Sequence, residues 1–246
     1  FSFGQHFFRF FYIELRLIVP AYNEASTIFS LFYKISNVHL VDSMTKEIVV
    51  VDDYSSDDTK KEIDRFVSIY PDVNVKYYRH SENRGKGAAI RTAISHVSGD
   101  VIIIQDADLE YDPEDYNVLL SYRKKNNSKV VYGSRFLNKQ NTHSYLSFYL
   151  GGRLVSFVTN ILYCQNLTDE PTCYKMFSSD LLENIKLECN KFEFCPEVTA
   201  KVAKLGYKIP EVPIHYYPRT IKDGKKINWK DGLMAIYTLI KYRFKK

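Results

Sequence analysis

Short runs of apolar residues that stop abruptly at polar or acidic ones set the rhythm of this chain. The clearest is Val101-Ile102-Ile103-Ile104, followed at once by Gln105-Asp106-Ala107-Asp108-Leu109-Glu110. A run apolar at every position predicts a strand buried on both faces, as in a parallel sheet. Residues 15–19 and 48–51 repeat the pattern; the first leads into Pro20-Ala21-Tyr22-Asn23-Glu24 and the second into Asp52-Asp53. Residues 73–78 predict a further strand. The intervening stretches read as helices. Ser26 or Thr27 is placed to cap the first. Asp57 and Asp58 load the first turn of the second, where negative charge is favoured, and Pro71 stops it after Tyr70. The third, 88–97, follows Asn83-Arg84-Gly85-Lys86-Gly87. This order, β-α-β-α-β-α-β with connections of helical length, predicts an α/β fold: a mostly parallel central sheet, right-handed crossovers and helices on both faces.

Two later stretches carry helical periodicity. Residues 146–163 have an apolar face broken by Gly151-Gly152, Arg153 and Asn160. Residues 229–244 place Leu233, Ile236, Tyr237, Ile240 and Phe244 at helical spacing, with Lys230, Lys241, Arg243, Lys245 and Lys246 around them. A basic amphipathic helix of this kind either packs on its domain or lies on an anionic membrane surface. The segment before the first strand, with Phe1, Phe3, Phe7, Phe8, Phe10, Phe11 and Tyr12, is dense in aromatic rings. It reads as an edge segment packed on the core or as an interfacial anchor, since such rings favour the headgroup region. The expected organisation is therefore an aromatic segment over 1–14, one α/β domain over 15–228 and a C-terminal basic helix over 229–246.

Chemistry enters at the strand ends. Parallel strands deliver their carboxyl ends to one crevice, where open α/β sheets bind ligands. One strand ending in acid is common; three on one edge (Tyr22 to Glu24, Asp52-Asp53, Asp106 with Asp108) predict a site. Asp106 and Asp108 are two apart, so an extended strand would turn both to the same side. Two hard carboxylates suit Mg²⁺ or Mn²⁺ held against substrate phosphates. The glycines around Lys86 match neither a P-loop nor a dinucleotide fingerprint.

Composition narrows the partners. The net charge is +5, from 34 basic and 29 acidic residues among 246, which is mild and gives no reason to expect nucleic acid. The four cysteines, Cys164, Cys173, Cys189 and Cys195, show no Cys-x-x-Cys pairing, so a reducing compartment is the simpler expectation. No apolar run reaches the length of a membrane span.

Taken together, Pro-Ala-Tyr-Asn-Glu (20–24), Val-Asp-Asp-x-Ser-x-Asp-x-Thr (51–59), Asn-Arg-Gly-Lys-Gly-Ala-Ala (83–89) and Asp-Ala-Asp-Leu (106–109) resemble glycosyltransferase family 2. Within it the similarity is closest to the dolichyl-phosphate mannose and glucose synthases. It continues through Tyr-Gly-Ser-Arg-Phe (132–136), Leu-Thr-Asp-x-x-x-Cys-Tyr-Lys-Met-Phe (167–177) and Phe-Glu-Phe-x-Pro-Glu (192–197). The resemblance implies a GT-A fold, a nucleotide-sugar donor, a divalent cation (Mg²⁺ or Mn²⁺) and inverting transfer of a hexose to a polyprenyl or dolichyl phosphate. That reaction would take place at the cytoplasmic face of a membrane, with the protein peripheral to it.

Carried over residue by residue, the resemblance assigns Pro20, Tyr22, Glu24, Asp52, Asp53 and Lys86 to the donor. It assigns Asp106 and Asp108 to the metal and diphosphate, with Glu110 near the metal. Arg135 and Arg153 match arginines placed for the acceptor phosphate. Arg219 and Lys225 match a basic loop that closes over the diphosphate, although Lys226 fits equally. Two phosphate-bearing substrates in one crevice require such cations, Arg for its fork of donors and Lys for its compact charge. The rival within the family is a saccharide hydroxyl acceptor. That reaction needs a general base, for which Asp169 or Glu170 are the candidates. A sugar nucleotidyltransferase would need a glycine-rich loop near the first strand, which is absent. A non-catalytic nucleotide-binding module would not need Asp106 and Asp108.

Overall fold

A computed structural model describes residues 14–97, 100–142, 145–219 and 229–245. The aromatic segment over 1–12 and the pair Lys225 and Lys226 lie outside these residues.

Strands β1 (Glu14–Ala21), β2 (Thr45–Asp52), β3 (Val75–Arg79) and β4 (Val101–Ile104) alternate with helices α1 (Ile28–Asn37), α2 (Thr59–Ile69) and α3 (Lys86–Ile94). Helix α4 (Tyr116–Asn126), β5 (Val130–Ser134), α5 (Leu146–Tyr163), β6 (Lys175–Ser178), α6 (Ser179–Glu183), α7 (Phe194–Lys204), β7 (Glu211–Pro213) and α8 (Trp229–Phe244) follow. The seven strands form one sheet in the order β3-β2-β1-β4-β6-β5-β7. Pairing is parallel except at β6, which runs antiparallel to both β4 and β5. The first half is thus the expected parallel sheet, and β6 joins it to a second small parallel pair, β5 and β7.

Burial explains the strands. Leu15, Leu17, Ile18 and Val19 of β1, Val49 to Val51 of β2 and Val101 to Ile104 of β4 are nearly inaccessible. Covered on both faces, they give near-continuous apolar runs rather than alternation. Register then levels the strand ends, with Ala21 opposite Asp52 and Ile18 opposite Ile104.

Some boundaries differ from expectation for local reasons. Thr27 stands at the N-cap of α1 but makes no capping bond; its hydroxyl donates to the carboxylate of Glu24 instead. Helix α3 begins at Lys86 rather than 88, because Gly85 takes φ 95° and starts the turn. A Cβ at Gly85 would stand 2.5 Å from the Asn190 carbonyl oxygen, so only glycine admits that close passage. Helices α5 and α8 fall on the expected ranges. They pack together, with Leu239 and Tyr242 of α8 buried against Val155 and Tyr163 of α5 and Ala200 of α7, and the Tyr163 hydroxyl donates to the Leu239 carbonyl. Among the described residues no helix is long and apolar enough to cross a membrane.

Candidate active site

The carboxyl ends of β1, β2 and β4 open into a cavity of ≈ 650 Å³. Pro20, Tyr22, Glu24, Asp53, Lys86, Asp106, Asp108, Glu110, Arg135 and Arg219 all line it. The turns that carry these side chains hold uncommon backbone angles: Asn23, Tyr54 and Leu109 have φ of 52°, 68° and 62°. Non-glycine residues in that region cluster at functional sites.

The paired aspartates after β2 divide their work. Asp52 is fully buried; its carboxylate accepts from the Ser55 amide at 2.7 Å and the Tyr77 hydroxyl at 2.9 Å, which fixes the turn. Asp53 faces the cavity wall. Its carboxylate accepts from the Arg84 and Gly85 amides at 2.9 and 2.7 Å and meets His80 Nδ1 at 2.6 Å. Of the two, Asp53 lines the cavity and Asp52 is the buttress.

The acids after β4 part company. Asp106 pairs with Lys86 Nζ at 2.5 Å; burial opposes the ammonium charge, but Asp106 outweighs it and holds Lys86 above its ordinary value. Asp108 meets the Arg219 guanidinium at 2.9 Å. Burial, then the charges of Asp106 and Glu110, push the Asp108 carboxyl up to about 7, against the pull of Arg219. Glu110 lines the cavity beside Asp108, and its carboxylate also has protein donors. One of its oxygens accepts from the Tyr216 hydroxyl at 2.9 Å and the other from the Arg219 amide at 2.7 Å. Its carboxylate thus clasps the segment that carries Arg219. Among the described residues no three His, Cys, Asp or Glu side chains converge as a metal cage.

On the far wall, Arg135 follows β5 and is held by Asp169. Its Nε and Nη2 donate to the two Asp169 oxygens at 2.7 Å each, and its own amide adds a third bond at 2.9 Å. Burial opposes this guanidinium's charge, and Asp169 more than restores it. Asp169 in turn is fixed by Glu211 of β7, which accepts its amide at 2.8 Å. Asp169 is fully buried with both oxygens engaged, so it is a holder of Arg135 and not a base open to a hydroxyl. Glu170 is equally buried, 3.9 Å from Lys175 Nζ. Arg153 lies on the exposed side of α5. It donates to the Thr168 carbonyl and lies 5.5 Å from the ring centroid of Phe136, a residue that lines the cavity.

Three contributors escape a reading of the sequence. Gln105 accepts hydroxyl bonds from Tyr116 and Tyr174 and donates to the Asp106 carbonyl, which anchors the end of β4. Asn141 donates to the Arg135 and Ile214 carbonyls at 2.8 Å each and accepts the Tyr216 amide. Tyr216 spans Glu110 and Arg135. The only signal for Tyr216 is its position three residues before Arg219.

The model of Glycosyl transferase family 2 matches residues 17–186. A dolichyl-phosphate beta-glucosyltransferase of Trichomonas vaginalis is 30% identical over 240 residues, covering 93% of this chain and 72% of that protein. A dolichol-phosphate mannosyltransferase of Pyrococcus furiosus is 28% identical over 236 residues, covering 94% of this chain and only 64% of that longer protein. Among solved structures, glucosyl-3-phosphoglycerate synthase of Mycobacterium tuberculosis, in complex with Mn²⁺, UDP and phosphoglyceric acid, superposes with a TM-score of 0.69. Its identity is 19%, over 94% of this chain and 79% of that one, and the likeness is one of fold.

Proposed function

Since the chain belongs to glycosyl transferase family 2 and has the GT-A fold, we propose that it moves a hexose from a nucleotide sugar to a polyprenyl phosphate of the dolichyl type, with inversion. The observation that carries this reading is the continuity of the cavity with an apolar face. Leu146, Leu150, Leu154, Phe157 and Ile161 make an exposed stripe along α5, and Trp229, Leu233, Tyr237, Ile240 and Phe244 make another along α8. Leu154, Trp229 and Leu233 of these stripes also line the cavity whose wall carries Arg135. An isoprenoid chain on that face would bring its phosphate to a half-buried guanidinium. The relatives that share most of this chain carry dolichyl-phosphate transferase names, which supports the same reading.

The donor would lie along the β1, β2 and β4 ends, with Pro20, Tyr22, Glu24 and Asp53 toward the nucleoside and Lys86 toward the diphosphate. Asp106 and Asp108 fit a hard divalent cation, Mg²⁺ or Mn²⁺: both are carboxylates at the cavity, and the high-lying Asp108 is crowded by negative charge that such an ion relieves. When bound, the ion would supply positive charge against the departing diphosphate. Arg219, 2.9 Å from Asp108, is placed to add to that charge. Arg135 would bind and orient the acceptor phosphate. That nucleophile is already ionised, so no strong base is required. A hydroxyl acceptor would need one; Asp169 is buried with both oxygens on Arg135, while Glu170 lines the cavity with its carboxylate 3.9 Å from Lys175 Nζ.

The exposed stripes, with Lys230, Lys241 and Arg243 on α8, would seat the protein peripherally on the cytoplasmic face of a membrane. The test is a panel of UDP- and GDP-hexoses with and without polyprenyl phosphate. Lipid-linked hexose that depends on the polyprenyl phosphate and is lost in EDTA supports the reading. Transfer only to a free saccharide overturns it.

A further inference from the structure

Tyr216 touches both halves of the site. It is 7% exposed and lines the cavity. Its hydroxyl donates to Glu110 at 2.9 Å, on the acidic side. Its ring lies under the Arg135 guanidinium, 5.1 Å from ring centroid to guanidinium carbon. The Nε and Nη2 edge of that guanidinium is held by Asp169, so Arg135 is fixed by both a carboxylate and an aromatic face. The backbone repeats the link. Asn141 accepts the Tyr216 amide at 3.0 Å and donates to the Arg135 carbonyl at 2.8 Å. Behind the ring, Tyr111 packs edge-on at 5.5 Å and limits its movement. Glu110, the acceptor of the Tyr216 hydroxyl, also receives the Arg219 amide. One side chain therefore contacts the holder of Arg219 through its hydroxyl and the guanidinium of Arg135 through its ring.

We propose that Tyr216 is a positioning residue that sets the acceptor arginine, Arg135, in register with the acidic, donor-side cluster through Glu110. Its two handles separate chemically. The hydroxyl acts on the donor side and the ring on the acceptor side. A transferase that joins two phosphate-bearing substrates needs their centres aligned to a fraction of an ångström, and misplacement is costly even when each binds. The inference rests on the reading of Arg135 as the acceptor residue.

The handles are tested with Tyr216→Phe and Tyr216→Leu, each also made in an Arg135→Ala background. Tyr216→Phe keeps the ring and removes the hydroxyl. The KM for the nucleotide sugar should rise roughly tenfold, as for a lost bond to a charged group, with the acceptor KM within about twofold of wild type. Tyr216→Leu should raise the acceptor KM as well, roughly two- to thirtyfold, the range of a desolvated cation–π contact. In the Arg135→Ala background that second effect should vanish. A merely structural role would lower kcat in both variants with both KM values unchanged. That result overturns the proposal, as does an acceptor KM effect of Tyr216→Leu that persists without Arg135. The cycle is run with the acceptor the wild-type enzyme uses, polyprenyl phosphate or a free saccharide. A saccharide acceptor would defeat the proposed function, while the additivity of Tyr216 and Arg135 would still decide the coupling.

Discussion

The two walls of the cavity are built differently. The donor wall, β1 to β4 with their following turns, pairs residues across the crossovers of a parallel sheet, and Arg219 reaches it from far along the chain. Asp53 holds amides about thirty residues away, across one crossover, and Asp52 holds its own turn. The acceptor wall, β5 to β7, uses partners that no local rule pairs. Arg135 meets Asp169 only across the reversal of direction between β5 and β6, and Tyr216 reaches back 106 residues to Glu110 on the donor side. The donor wall is a property of strand ends in a parallel sheet; the acceptor wall exists only after the antiparallel β6 has brought β5 and β7 alongside. Removing a donor-wall acid should therefore remove chemistry and spare the fold, whereas removing an acceptor-wall holder should damage both.

The sharpest form of this contrast is Asp108→Ala against Asp169→Asn. Asp108→Ala should lower transfer by about 10²–10³-fold or more, the scale of a lost electrostatic stabiliser, with thermal unfolding little changed. EDTA should reproduce it in the wild type, and full turnover in EDTA would defeat the metal assignment. Asp169→Asn leaves a mostly buried guanidinium without its counter-charge. Breaking such a pair costs on the order of 3–5 kcal/mol, so unfolding should move to clearly lower denaturant. Transfer should fall as far as in Arg135→Ala, with no further loss in the double variant. Unchanged stability in Asp169→Asn would erase the distinction between the walls.

How much could be read beforehand follows the same line. Strands β1, β2 and β4 are legible because burial on both faces makes their runs nearly continuously apolar. Helices α5 and α8 are legible because one face of each is apolar at helical spacing. The short β5, β6 and β7 have no such signature, and the reversal at β6 is a tertiary fact. Asp106 and Asp108 could be named from a strand end. The resemblance places Glu110 near the metal, but its long-range donors, the Tyr216 hydroxyl and the Arg219 amide, have no trace in the sequence. Asp169 is a candidate base only for the rival hydroxyl acceptor; its burial against Arg135 has no trace in the sequence.

A milder probe of the donor wall is pH. Asp108 titrates near 7, so below that pH it takes up a proton and offers a poorer oxygen to a cation. Donor-dependent activity should fall as pH drops through about 7, and the midpoint should move lower as Mg²⁺ or Mn²⁺ is raised, since the ion competes with the proton. The stability sign is the reverse. A carboxyl whose folded value exceeds its unfolded one binds its proton more tightly when folded, so its contribution stabilises the fold as pH falls from about 7 toward 4. A midpoint indifferent to metal concentration would remove Asp108 from the ligand set.

The smallest effect concerns the outer face of the acceptor wall. Sedimentation with anionic liposomes should bring down the wild type at low salt. Leu233→Ser with Phe244→Ser should weaken that binding roughly tenfold, for about two apolar side chains partly withdrawn from lipid. The fold should be unaffected, because both residues are exposed. Wild-type protein left in the supernatant would separate the apolar stripes from any membrane role.

The most direct test of a two-walled site is a single pair of assays on Arg135→Ala. Transfer of hexose to polyprenyl phosphate and release of nucleoside diphosphate without acceptor are measured side by side. The lost contact is a charge-assisted bond to phosphate, worth on the order of 1.5–3 kcal/mol. Transfer should therefore fall roughly tenfold to a hundredfold, while acceptor-free release stays within about twofold of wild type. Equal loss in both assays, or normal transfer beside a crippled Asp169→Asn, would contradict the account.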